Sequence, residues 1–285
     1  MIEYLNFYHC LYFVFALGLL AGLYFLLRNK SKTTSDIVLF CILLSSFILH
    51  FLKLTADYYQ DRMPWAMTTI TPENLCAVST LVFPWFYVSK KAILRDYMFY
   101  MGVVSGLGAT LYPIDAVGLN VFEFETVRFF YCHILIWVIP LLMVLLRLHT
   151  PCYKRILKVP FLAYLIMCVI LVNEVILTGA GYLRPEYLYS NEIRNASFIF
   201  GPQPKVGILG KLFTALTPEV FLTIPVGENA GSVYYWPIIW LMIPSYIYFC
   251  LFSLLMVLPF EYKNIWRDIV AVKEKIKSAL SITSR

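Results

Sequence analysis

Cys76 and His133 are a thiol and an imidazole in separate apolar stretches, and the charge pattern puts both near the same face of a membrane. His50, Asn173 and Glu174 fall at that level in other stretches, and Arg128 caps it from the start of the stretch that holds His133. Polar groups in hydrocarbon are expensive and persist where they pair or act on something. A Cys thiol becomes nucleophilic when a neighbouring His takes or holds its proton. Attack on an ester carbonyl would give an oxyanion that Arg128, His50 or the Asn173 amide could stabilise. Collapse would leave an acyl-thioester on Cys76, with His133 protonating the departing alcohol. A second alcohol, or water, would then take the acyl chain.

Each residue also has a structural reading. His50, Lys53 and Asp57 form a polar stripe that could face neighbouring helices. Cys76 could be a packing residue, since Cys in an apolar run behaves as a small hydrophobe. His133 is harder to set aside, because a neutral imidazole at depth needs a partner for each ring nitrogen. Asn173 and Glu174 could join helices, although a Glu buried there must be paired or protonated. Arg128 could snorkel to the surface.

The elements that must position these groups follow from composition. Of 285 residues, 60% are hydrophobic and 14% charged, against about 25% charged in a soluble domain. The apolar residues form runs near the roughly 20 residues that cross a bilayer. They are continuous, without the alternation of a membrane barrel. The expectation is an all-α polytopic bundle of seven spans, at 7–27, 37–55, 74–88, 93–111, 126–146, 157–178 and 236–259. The third is short and holds Pro84, which should kink it. The seven cysteines show no CxxC and no zinc spacing. No metal, cofactor or nucleic-acid partner is expected.

Lys and Arg give the orientation. Arg28, Lys30, Lys32, Lys90, Lys91, Arg95, Arg147, Lys154, Arg155 and Lys158 fall on one side. With Lys263, Arg267, Lys273, Lys275, Lys277 and Arg285 of the tail they make sixteen of the twenty-three basic residues. The other side collects twelve of the seventeen acids, counting Glu174. This places the N-terminus outside and the C-terminus in the cytoplasm. The first run has Glu3 before it and its positive charges after it, the reverse of a cleaved signal peptide. Residues 1–260 then form one bundle, with 183–235 a long external segment over its outer end and a short surface helix at 208–216. Residues 261–285 form an amphipathic tail, with Ile265, Ile269, Val272, Ile276 and Leu280 at helical spacing, set to lie on the anionic inner leaflet. Asn195-Ala196-Ser197 matches a glycosylation sequon in the external segment.

Depth follows at 1.5 Å per residue. His50 lies roughly 7 Å, Cys76 about 3 Å, His133 roughly 10 Å, and Asn173 and Glu174 roughly 6–8 Å below the outer ends of their spans. Phospholipid ester groups lie at about this level, so membrane phospholipid is the expected substrate.

These residues also resemble a known family. Pro72-Glu73-Asn74-Leu75-Cys76-Ala77-Val78-Ser79 is similar to the Pro-x-x-Leu-Cys-x-x-Ser element of the YwaF-like integral membrane proteins. That family is similar to the animal lipid acyltransferase transmembrane protein 164. Thr110-Leu111-Tyr112-Pro113 resembles its Thr/Leu-x-Pro at the end of the fourth span. Arg128-Phe129-Phe130-Tyr131-Cys132-His133 resembles its Arg-Phe-Phe…His element. Asn173, Gly179, Tyr182 and Gly201-Pro202-Gln203-Pro204 resemble its Asn…Gly-x-x-Tyr…Gly-Pro-x-Pro pattern. The resemblance runs from about residue 45 to 205. It implies a multi-helix acyltransferase fold in which Cys76 accepts the acyl chain and His133 is the paired His.

Two rivals stand beside the phospholipid acyltransferase or transacylase. A lipid hydrolase would use the same site with water as acceptor. A seven-helix receptor or transporter would bind without catalysis. Against a rhodopsin, span 236–259 has no Lys for a retinal Schiff base. Against a coupled transporter, the chain shows no internal repeat and no Gly-broken helix pair.

Overall fold

A computed structural model describes residues 1–204 and 207–283, and 70% of the chain is helical, with no strands among the described residues. The α-helices are α1 (Phe7–Leu27), α2 (Lys32–Leu52), α3 (Asp57–Gln60), α4 (Leu75–Ser89), α5 (Ala92–Leu111), α6 (Phe124–Leu145), α7 (Val159–Gly179), α8 (Gly207–Thr214) and α9 (Ile239–Thr283). Local sequence explains several starts. Asn6 caps α1 through the His9 amide, Ser31 caps α2 through that of Thr34, and Asn74 caps α4 through that of Ala77. α4 ends at Lys90, which takes the left-handed conformation (φ 55°).

Five helices are long and apolar enough to cross a membrane: Phe7–Leu27, Lys32–Thr55, Phe124–Leu145, Tyr153–Gly179 and Ile239–Lys277. α4 is a shorter apolar helix of 15 residues that carries Pro84 within it. α5 has 20 residues, with Arg95 and Asp96 in its first turns. The expected surface helix is present as α8. The last span and the tail form one helix, α9, which contains Pro244 and Pro259 and exposes Trp266, Ile269, Val272 and Ile276. The Leu280 side chain and Arg285, both part of the tail pattern, lie outside the described residues.

The core sits between α5 and α6. Every residue of α5 from Arg95 to Gly102 is buried, as is nearly all of α6 from Ile134 to Val144. The contact is close because α5 presents Gly102 and Gly106, four residues apart on one face. A Cβ on Gly102 would stand 2.5 Å from the Ile136 carbonyl oxygen, and one on Gly106 2.8 Å from that of His133. Small residues at this spacing let helix backbones touch, which drives association where lipid is as apolar as the side chains. α1 is tied to the far end of α5 by His9. Its Nε2 donates to the Thr110 carbonyl (2.8 Å), and its Nδ1 accepts from the Leu5 amide (3.0 Å).

The opposite end of α5 holds a polar centre. Asp96 is fully buried and accepts from His149 Nε2 at 2.7 Å and from Arg155 through two nitrogens. Arg95 donates to the carbonyls of Tyr87 (2.9 Å) and Leu148 (3.0 Å). Lys154 and Tyr153 both bond Asp268, fastening α9 to the segment before α7. The basic residues counted for orientation therefore include several, Arg95, Lys154 and Arg155 among them, that carry internal bonds.

Gly102→Ala and Gly106→Ala should each destabilise the protein by ~1–3 kcal/mol, because a backbone oxygen cannot yield to the new methyl. Gly108→Ala meets nothing within 4 Å and should be neutral or gain up to ~1 kcal/mol from helix propensity. Thermal unfolding in detergent micelles checks both. Equal melting temperatures for all three variants would contradict the close contact.

Candidate functional site

The end of the bundle where α4 begins is organised by a backbone strap. The 3-10 turn Trp65–Ile70 lies between α3 and α4. Two of its carbonyls, Thr69 and Ile70, accept from Lys53 Nζ (2.8 Å) and His50 Nε2 (3.1 Å) of the α2 end. A carbonyl only accepts, so a neutral His50 carries its proton on Nε2. From the other side, Thr68 Oγ1 accepts from Arg194 Nη1 (3.1 Å) and Thr71 Oγ1 from Asn173 Nδ2 (3.0 Å). His50 and Asn173 thus hold opposite flanks of one strap.

Glu174 is buried and paired. Arg194, from the long connection between α7 and α9, meets both its oxygens, through Nη2 at 2.7 Å and Nε at 2.9 Å. The same guanidinium reaches Glu73 at 2.9 Å. Burial opposes the charge on Arg194, but the bonds and charges of Glu174 and Glu73 more than offset it and raise its pKa.

Arg128 belongs to a separate group. It forms a two-nitrogen pair with Glu125 one turn earlier in α6, with Nε at 2.8 Å, and Glu125 also accepts from Tyr59 Oη at 2.7 Å. Burial pushes the Tyr59 phenol above its ordinary range, which keeps it a donor. Glu125 further lines a cleft of about 670 Å³ between the α2 end and the α6 start, with Leu49, Leu52, Asp57, Tyr58 and Phe124. Neither Cys76 nor His133 lines this cleft.

Cys76 is the second residue of α4 and partly exposed. In that first turn the Leu75 amide donates to Ser197 Oγ (2.8 Å) and the Ala77 amide to Asn74 Oδ1 (2.8 Å). The Cys76 amide between them bonds nothing among the described residues. Ser105 of α5 lies beside the thiol and its hydroxyl donates to the Met101 carbonyl (2.7 Å), while the Asp115 carboxylate is near enough to act on the thiol through its charge. His133 packs its ring on Phe129 and bonds the Phe129 carbonyl through Nδ1 (2.8 Å). Nδ1 must be the donor there, so a neutral His133 has a bare Nε2, the form of a general base.

Cys76 and His133 therefore meet neighbouring residues of α5: the thiol stands beside Ser105, and the His133 backbone presses on Gly106. No hydrogen bond joins the two side chains among the described residues. Of the six residues singled out from the sequence, Asn173 and Glu174 share the strap and its Arg194 group with His50, while Arg128 stands with Glu125 and Tyr59. Arg194 and Ser197 were not found from the sequence. Each sits in a loop, and the only local signal was the sequon. Asn195 of that sequon is buried and fully used. Its Nδ2 donates to the Asn191 (3.1 Å) and Gly201 (2.9 Å) carbonyls, and its Oδ1 accepts from the Phe200 amide (3.0 Å).

Asn195→Ala should cost at least ~2 kcal/mol, since it leaves enclosed backbone groups without partners. Chemical or thermal unfolding measures this, and an unchanged stability would contradict the bonding described.

A family model described as the TMEM164 family matches residues 4–217. No curated protein and no solved structure matches the chain. The match covers most of the chain, including the strap, the Arg128 group and the Cys76 turn, so with its long apolar helices this multi-pass membrane protein belongs to the TMEM164 family.

Proposed function

We propose that the protein is a thiol-dependent phospholipid acyltransferase or transacylase, with Cys76 as acyl acceptor and His133 as acid and base. The observation that carries this reading is the first turn of α4. Its nucleophile candidate sits at a helix N-terminus, where the dipole favours negative charge. The amides on either side are occupied by Ser197 and Asn74, while the Cys76 amide is open. An unoccupied amide beside the attacking sulfur is the kind of donor that receives a developing oxyanion.

His133 Nε2 takes the thiol proton, and the thiolate attacks the ester carbonyl of a phospholipid. The oxyanion is held at the Cys76 amide. Collapse breaks the acyl-oxygen bond, and His133 returns the proton to the departing alcohol. A second alcohol then gives its proton to His133 and attacks the thioester, releasing the thiolate, which recovers its proton from His133. At rest the sulfur and imidazole are not bonded, and catalytic hydrogen bonds commonly tighten only around substrate. His50, Arg128, Asn173 and Glu174 support the site through the strap and its neighbours. The proposed topology has seven passages, N-terminus outside and C-terminus cytoplasmic. It comprises one bundle over 1–260 with its external segment at 183–235 and a tail at 261–285, and the strap opens to outer-leaflet lipid.

Water as the acceptor would make the same site a hydrolase. A second reading, a binding protein without catalysis, is favoured by one observation: His50, Arg128, Asn173 and Glu174 all have structural partners.

Cys76→Ala should abolish acyl transfer between phospholipids in reconstituted vesicles, with unchanged melting. His133→Gln should lower the rate by roughly 10²–10⁴-fold, the range of a lost general acid or base. Product analysis by mass spectrometry reads both. Acyl transfer retained by Cys76→Ala would end the mechanism.

A further inference from the structure

Resting on the reading of Cys76 as nucleophile, we infer that Arg194 is the clasp that holds residues 194–198 closed against the Cys76 turn and so controls access to the thiol. Two anchors bind this segment to the start of α4, and both adjoin Cys76. Arg194 grips Glu73 (2.9 Å), three residues before it, and Ser197 Oγ accepts from the amide of Leu75, the residue before it (2.8 Å). The third corner is Glu174 of α7, so the clasp joins α7 to the α4 entrance through a side chain only 6% exposed.

The backbone shows that the segment is held rather than relaxed. Arg194 and Phe198 have φ of 52° and 59°, a left-handed conformation that L residues adopt where surroundings over-determine it. The second anchor is weak and neutral, while Arg194 makes charge-assisted bonds to two carboxylates. A buried charged group that loses its partner is strongly disfavoured, and removing the guanidinium takes away the one cation that bonds both Glu73 and Glu174, leaving Lys53 to act on Glu73 from farther off. The segment must then move away or admit water. Cys76 is partly exposed with the segment in place, and release of the segment from Glu73 and Leu75 would widen the approach to the thiol and its amide.

Maleimide labelling of the full chain in lipid nanodiscs tests this without any acyl transfer. Labelling is followed at each cysteine by peptide mass spectrometry, with Cys132, buried within α6, reporting general loosening. In Arg194→Gln, Cys76 should label roughly tenfold faster or more, the size expected when loss of a buried pair eases local opening, while Cys132 stays protected. Arg194→Lys, which keeps a charge but loses the two-pronged grip, should fall between. An unchanged Cys76 rate overturns the clasp. Equal acceleration at Cys132 also overturns it, because Arg194 would then hold the bundle rather than its entrance. Neither result bears on whether Cys76 carries an acyl chain, which the Cys76→Ala activity assay decides separately.

Discussion

The backbone contact of α5 with α6 at Gly102 and Gly106 is the constraint on which the remaining geometry depends. It leaves no room for a side chain between the helices, so it fixes their separation and register. With α6 pinned, the heights of His133 and Arg128 along it are set. With α5 pinned, Ser105 is set against the start of α4, and Cys76 with it. A thiol and an imidazole from separate helices thereby share one level, although each contacts a different residue of α5. In hydrocarbon no water-driven collapse gathers helices, so such backbone approach does the ordering that apolar burial does in a soluble core.

At the Cys76 end the protein resolves the cost of its polar residues by pairing them around a strap of irregular backbone. Non-helical backbone at membrane depth survives where protein groups satisfy its carbonyls and amides. Lys53 and His50 do this for Thr69 and Ile70, and Asn74 and Ser197 do it for the first turn of α4. One amide in that turn is left over, and it belongs to Cys76. At the other end of α5 the carboxylate of Asp96 is closed off by His149 and Arg155. The Cys76 end instead keeps an open amide beside a thiol and a bare imidazole nitrogen nearby, which supports assigning chemistry to it.

Much of the helix plan was legible in the sequence, because long apolar runs leave little choice in lipid. The runs at 7–27 and 93–111 are α1 and α5 to within a residue, and the short third run is α4 with its internal Pro84. The final run was read as ending at 259, but α9 continues beyond Pro259 into the tail, since tertiary packing and the Asp268 bonds to Tyr153 and Lys154 hold that stretch in line. Polar residues could be placed by depth, yet their partners could not. Glu174 was an unexplained buried carboxylate, and its partner Arg194 lies in a loop whose left-handed residues follow no local pattern. Arg155 counts as surface charge in the sequence because depth alone does not reveal the buried Asp96 that it bonds together with His149. The family resemblance, carried by the order and spacing of the elements between Pro72 and Pro204, is borne out by the match over residues 4–217.

Cys76 should carry an acyl chain during turnover. The direct measurement is the mass of the purified protein after brief exposure to a phospholipid with isotope-labelled acyl chains, quenched in acid. A labelled acyl group that hydroxylamine removes is expected on the Cys76 peptide and should be absent from Cys76→Ala. Acyl transfer proceeding with no label on Cys76 at any time, or with the label on another cysteine, would contradict it.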